Sequence, residues 1–210
     1  MKIHKCQQLS DRWFELKAGI PSASSADKIL TPTGKLSAQS EGYINRLLAE
    51  RAGYGDEPME PTDWMVRGVE LEPEARALFE FETELEITQV GFITNDEGTA
   101  GCSPDGLIAY DDSSYCGVEI KCPMASTHYG YLRANIVPKK YLPQIHLSMA
   151  ITGANHWWFM SYFPGLDPFI DLVKADVYTD KVSAAITEFT ARLAEESKRF
   201  GLDLPQRKAA

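Results

Sequence analysis

Residues 101–123 read GCSPDGLIAYDDSSYCGVEIKCP, and the reading of this stretch decides the fold. Near its end Val118 and Ile120 are apolar, while Glu119 and Lys121 are charged. Successive strand residues point to opposite faces, so Glu119 and Lys121 project from one face and the apolar pair from the other. Upstream, Gly101 to Tyr110 also reads as a strand and carries Asp105 directly after Ser103-Pro104. A polar turn at Asp111-Asp112-Ser113-Ser114 makes the two strands antiparallel neighbours and brings Asp105 near Glu119. Two carboxylates and an amine then converge. Hard divalent cations take oxygen ligands, and Mg²⁺ commonly keeps one or two carboxylates plus waters and substrate phosphate. An amine beside such a metal orients water or stabilises developing charge. Glu-x-Lys alone also describes a solvated sheet face. The Ser-Pro-Asp-Gly turn at this spacing favours the metal reading.

The flanking chain supplies helices. Asp11 to Lys17 reads as a short helix, with Trp13, Phe14 and Leu16 apolar. Pro21 and Ser22 to Ser25 precede an Ala/Ile/Leu run, which marks a helix start. Free N–H groups there suit an anion, with Lys17 and the serine hydroxyls as partners; simple N-capping is the other reading. Ser37 to Gly53 is helical in pattern. A strong helix is expected from about Val69 to Glu84, with Leu71, Ala75, Leu78 and Phe79 on its apolar face. Glu72 falls about 20° from Phe79 on that helix, at the edge of the buried stripe. It either pairs with Arg76 one turn on or points inward toward the metal site.

Strands are expected at Glu86–Thr94, Gly101–Tyr110 and Tyr115–Cys122. A helix at Ala125–Arg133 follows, then a second beginning near Pro143, apolar nearly all round and closed by Gly153. Gln144 and Ser148 share a face of it. Strands at Asn155–Phe163 and Pro168–Val177 precede a last helix starting near Thr179 or Asp180. The order implies one α/β domain over residues 1–210, a central mixed β-sheet flanked by α-helices.

Composition bounds the class. The 210 residues are 44% hydrophobic and 24% charged, ordinary for a globular domain. No apolar run reaches the length of a membrane span and no signal-peptide core precedes Trp13, so a cytoplasmic location is the default. The four cysteines form no C-x-x-C pair and are expected to be reduced thiols. A net charge of −9 argues against a non-specific nucleic-acid binder with a basic stripe. It leaves room for an enzyme whose positive field is local.

Taken together, Ser-Pro-Asp105-Gly, Glu119-Ile-Lys121-Cys-Pro and Tyr141-Leu-Pro-Gln144-Ile-His-Leu-Ser-Met149 resemble the PD-(D/E)xK nucleases. More narrowly they resemble the phage lambda exonuclease (YqaJ-type viral recombinase) branch. The likeness extends upstream through Trp13…Lys17-Ala-Gly-Ile-Pro-Ser-Ala-Ser24 and Gly68-Val-Glu70-Leu-Glu72-Pro-Glu-Ala-Arg76, in order over most of the chain. It implies a restriction-endonuclease-like core. It implies Mg²⁺-dependent (Mn²⁺ as substitute), processive 5′-to-3′ digestion of one strand of duplex DNA, at work in a bacterial host cell as a phage or prophage product. The 3′-tailed product would pass to a single-strand annealing protein, and relatives form a ring-shaped homotrimer. Position by position, the resemblance makes Asp105, Glu119, the Ile120 carbonyl and Glu72 metal ligands. Lys121 positions or activates the attacking water, and Gln144 orients the lysine or the nucleophile. Lys17, Ser24 and Ser103 grip the terminal 5′-phosphate, Lys17 standing where the family has arginine and so lacking the bidentate fork. Met65 matches the apolar residue that splits the duplex end. Two other readings remain: a structure-specific endonuclease of the same fold, and a catalytically silent DNA-binding protein.

Overall fold

The computed structural model describes residues 1–55, 60, 62–110 and 115–202. The turn expected at 111–114 lies outside the described residues. Six α-helices and seven strands are described: α1 (Asp11–Lys17), α2 (Ser40–Arg51), α3 (Asp63–Thr83), α4 (Ala125–Ala134), α5 (Leu142–Thr152) and α6 (Val177–Arg199), with β1 (Lys2–His4), β2 (Phe92–Thr94), β3 (Gly101–Cys102), β4 (Gly106–Ala109), β5 (Tyr115–Lys121), β6 (His156–Ser161) and β7 (Phe169–Lys174). The architecture is the expected mixed sheet flanked by helices. Strands β4-β5-β6-β7 form one sheet in that order, and β1-β2-β3 form a smaller one. Among the described strand pairs only β5–β6 is parallel, the crossover running through α4 and α5.

The larger sheet is covered on both faces. On one face Val118, Ile120 and Met160 pack with Ala75 and Phe79 of α3. On the other, Trp157 and Phe159 pack with Ile145, Leu147 and Met149 of α5 and with Val182, Ile186 and Phe189 of α6. The strand alternation seen in the sequence sorts these residues: Trp157 and Phe159 go to one layer, Met160 to the other. Gly117 is required at its place in β5, because any Cβ there would run into the Trp157 ring. Glu119 and Lys121 therefore look toward the α5 side, away from Val118 and Ile120.

Several expected boundaries move, each for a local reason. The strand expected over Glu86–Thr94 shortens to Phe92–Thr94. Before it, Ile87 N–H donates to the Glu80 carboxylate at 2.7 Å, and only Thr88 bridges to Leu107. The strand expected over Gly101–Tyr110 breaks between Cys102 and Gly106. Pro104 has no N–H to donate to a ladder, so the break falls around it. Helix α3 begins at Asp63 rather than Val69, capped by the Thr62 hydroxyl, which accepts from Met65 N–H at 3.4 Å. Helix α6 begins at Val177, ahead of the expected Thr179, because Asp176 and Thr179 form a reciprocal capping box. The serine-rich segment forms only a six-residue 3₁₀ turn, Ala23–Lys28, bent at Ser25. No serine side chain caps it; the Ser22 N–H instead donates to the Tyr43 hydroxyl at 3.1 Å.

Candidate active site

Pro104 ends one strand and Asp105 starts the approach to the next. Asp105 N–H donates to the Val118 carbonyl at 3.1 Å, which registers the residue against β5. Its Oδ2 then accepts from Ile120 N–H at 2.6 Å. The expected convergence with Glu119 is present. Glu119 is 1% exposed, forms an ion pair with Lys121, and accepts from Gln144 Nε2 at 2.6 Å. Gln144 sits in the first turn of α5, so its helix delivers an amide to the strand carboxylate. Ile120 lies between Glu119 and Lys121, with its side chain in the α3 layer.

Charge explains the pattern. Burial first, then the negative charge of Glu119 and, more weakly, Glu72, pushes the Asp105 carboxyl well above the usual carboxylate range; Lys121 and the Ile120 N–H pull the other way. For Lys121, burial works against the ammonium, but the carboxylates of Glu119 and Asp105 outweigh it and hold the pKa above its ordinary value. A buried carboxyl pressed by two like charges fits a site that takes a cation: Lys121 and Arg76 together leave one of the three carboxylates without a partner cation.

Glu72 resolves an alternative left open by the sequence. It is ion-paired with Arg76, one turn on, and it also lines the same cleft as Asp105. With its amide oxygen turned inward, Gln89 accepts from both terminal nitrogens of Arg76, at 2.8 and 3.0 Å. Among the described residues no three His, Cys, Asp or Glu side chains stand as a ready metal cage. The expected set of Glu72, Asp105 and Glu119 is thus drawn apart, because Arg76 holds Glu72 while Lys121 and Gln144 hold Glu119. The carboxylates present still match a cation that keeps waters and substrate oxygens as its other ligands.

A cleft of about 780 Å³ joins this centre to the expected anion pocket. Lys17, Ser22, Ser24 and Ser103 line it together with Glu72, Arg76 and Asp105. Trp13 organises the pocket: its indole N–H donates to the Ser103 hydroxyl at 2.8 Å, and its ring lies 3.8 Å beneath the Lys17 amine. Ser22 and Ser24 hydroxyls are 3.1 Å apart. Burial, with Arg46 repelling and Glu50 partly compensating, lowers the Lys17 pKa to about 8. An anion placed here would raise it again.

Met65 lies outside this cleft, exposed in the first turn of α3. At 100° per residue it shares a stripe with Val69, Glu72 and Arg76, about 10 Å along the axis from Glu72. Two contributions escaped the sequence. One is Gln89, on a segment that reads as strand. The other is the wall from Cys6 to Ser10, whose Gln-Gln-Leu-Ser has no periodicity or motif to mark it. The cysteines are free thiols; burial pushes Cys102 up to about 12 and Cys122 up to about 11.

Residues 12–155 match the family model described as the YqaJ-like viral recombinase domain. The chain belongs to the YqaJ-like viral recombinase family. The match spans Trp13, Lys17, Glu72, Asp105, Glu119, Lys121 and Gln144 alike. Among solved structures, this YqaJ-like chain is similar to the alkaline exonuclease LHK-Exo of Laribacter hongkongensis, at 28% identity and a TM-score of 0.73, over 91% of this chain and 98% of that one. The complex of the same enzyme with dAMP matches at 28% identity and a TM-score of 0.72, with the same coverage. A phage-related exonuclease from Haemophilus somnus 129PT shares the fold, at 14% identity and a TM-score of 0.55, over 93% of this chain and 97% of that one. These neighbours bear out the restriction-endonuclease-like core. No curated protein sequence matches the YqaJ-like chain. Among its described residues no helix is long and apolar enough to cross a membrane.

Proposed function

We propose that this chain is a divalent-metal-dependent exonuclease that digests the 5′-phosphorylated strand of duplex DNA from 5′ to 3′. The product is a 3′ single-stranded tail for phage-type recombination through a single-strand annealing protein. The observation that carries the reading is the continuous cleft: Lys17, Ser24 and Ser103 line its anion end, and Asp105 and Glu72 its carboxylate end. An anion pocket beside a hydrolytic centre measures distance from a chain end, which an endonuclease has no need to do. Family membership and the exonuclease names of the neighbours support the same class.

Asp105, Glu119, the Ile120 carbonyl and Glu72 would hold the metal, Mg²⁺ with Mn²⁺ as a substitute. When bound, the metal supplies charge stabilisation to the attacking and leaving oxygens of the phosphodiester. Lys121 directs its ammonium to the Glu119 side of the centre, where it orients the attacking water. Gln144 holds Glu119 from behind through its amide. Lys17, Ser24 and Ser103 bind the terminal phosphate and fix the scissile bond over Asp105. Met65 lies further out on the Glu72 stripe of α3, where the duplex has to separate before one strand enters. A ring-shaped homotrimer around the DNA completes the reading. It would gather the half-buried Lys28 and the exposed Lys35, Arg133, Lys139 and Lys140 of each copy toward a channel and leave the acidic surface outside.

The deciding experiment is Mg²⁺-dependent digestion of linear duplexes carrying 5′-phosphate or 5′-hydroxyl ends, with a circular duplex as control. The expected result is mononucleotide release from phosphorylated linear ends and 3′-tailed remnants. Cleavage of the circle at a comparable rate would overturn the end-dependent reading.

A further inference from the structure

Part of the cleft lining is a short loop ahead of α1, and it lies outside the family match, which begins at residue 12. Cys6, Gln7, Gln8, Leu9 and Ser10 all line the cleft. The residues on either side of Leu9 are fastened. Gln8 Nε2 donates to the Val90 carbonyl at 3.1 Å and to the Pro104 carbonyl at 2.9 Å. The Ser10 hydroxyl donates to the Gln7 carbonyl at 2.6 Å and accepts from Trp13 N–H at 3.3 Å as the cap of α1. The loop is therefore registered against Pro104, immediately before Asp105, and against Trp13, which orders the anion pocket.

Leu9 itself is anomalous. Its φ is 65°, in the left-handed region that glycine and asparagine enter easily and a bulky side chain does not. The side chain is 57% exposed, and it packs into none of the three apolar clusters. Backbone strain of this kind persists where the surroundings impose it, and the folded chain recovers nothing from this leucine. The apolar surface it presents borders a cleft that Val69 and Pro73 also line. Lys17, Ser24, Ser103 and Asp105 line the same cleft.

We infer that Leu9 is a substrate-contact residue: its side chain packs against the base of the 5′-terminal nucleotide, whose phosphate occupies the Lys17–Ser24–Ser103 pocket. The inference rests on the exonuclease reading, since it needs a nucleotide in the cleft. An apolar contact on a base face tolerates all four bases, as an enzyme that digests any sequence requires. The loop supplies the contact at a set distance from the carboxylates because Gln8 holds it to Pro104.

The test measures equilibrium binding in chelator, where hydrolysis is silent. Duplexes carry a 5′-phosphate on either a normal terminal nucleotide or a terminal abasic residue, and a 5′-hydroxyl duplex is the reference. The proteins are the natural chain, Leu9→Gly and Leu9→Asn, both substitutions being compatible with the observed backbone. The natural chain is expected to prefer the phosphorylated normal end. Both variants should weaken that binding about fivefold, the value of one buried apolar contact, while leaving the abasic end unchanged. Their melting temperatures should be equal to or above that of the natural chain, so a weakened complex is not a weakened fold. Equal loss on normal and abasic ends, or no loss on either, overturns the role of Leu9. A natural chain that ignores the 5′-phosphate overturns the exonuclease reading first and the inference with it. A natural chain that prefers the phosphate while the Leu9 variants bind like it overturns the inference alone.

Discussion

Two lysines lie in or near the Asp105 cleft, and burial acts on both in the same direction. Lys121 is surrounded by acid, and Glu119 and Asp105 hold its ammonium charged against the cost of burial. Lys17 is withdrawn from water over the Trp13 ring, with Arg46 repelling it and Glu50 too weak to compensate. One pKa goes up and the other falls to about 8. The sign of the shift follows the partners, since desolvation lowers both. A lysine already satisfied by carboxylates belongs to a permanent centre. On the proposed reading, the lysine short of a counter-charge is the one that takes an anion that comes and goes.

The comparison breaks first at Lys121. Lys121→Ala should lower the hydrolysis rate by about 1,000-fold while end binding in chelator stays near that of the natural chain. Comparable losses in rate and binding would make Lys121 an ordinary DNA contact. Lys17→Ala should act the other way round. A charged hydrogen bond to phosphate is worth enough to cost about 30-fold in preference for 5′-phosphate over 5′-hydroxyl ends, with little change on hydroxyl ends.

Gln144→Ala removes the amide that fixes Glu119 and should reduce kcat by about tenfold, with half-saturating Mg²⁺ rising by a similar factor. A kcat loss at unchanged Mg²⁺ dependence would place Gln144 on the nucleophile instead.

The lowered pKa of Lys17 sharpens the contrast through pH. Below about 8 the folded chain holds this proton, and above it the amine is neutral. The unfolded lysine keeps its proton to a higher pH. In that window the unfolded chain binds more protons, so this group's contribution makes stability rise as pH rises. Phosphate gripping runs opposite, weakening as pH climbs through about 8, displaced upward by any bound phosphate. Lys17→Arg, charged throughout, should keep phosphate preference flat over the same range. Steady-state rates on the two kinds of end from pH 7 to 10 read this directly. The smallest effect is expected from Trp13→Phe, which removes the 2.8 Å bond to Ser103 and should weaken phosphate preference about threefold.

Much of the centre was legible before any fold was known. Glu119 and Lys121 share a face because a strand has a period of two, and Gln144 and Ser148 share one because a helix turns every 3.6 residues. Asp105 was placed beside Glu119 on the pairing of adjacent strands, which β4 and β5 bear out. The limits of strands were less legible. Thr88 and Gln89 have strand-like neighbours, yet the segment makes one bridge before β2, because Glu80 and Arg76 of α3 draw it toward the helix.

Local periodicity and motif spacing determined that this chain builds a mixed sheet between helices, and which side chains share a face. Those properties depend on residues a few positions apart, and the chain carries them wherever it folds. Only the tertiary structure decided that Glu72, paired with Arg76 one turn on, also faces the Asp105 cleft, and that Trp13 brings Ser103 to the Lys17 end of it. It alone decided that a featureless Gln-Leu-Ser loop lines the same cleft. Each of these rests on contacts between residues distant in the chain or on the field of several charges at once, and no period in the sequence encodes either.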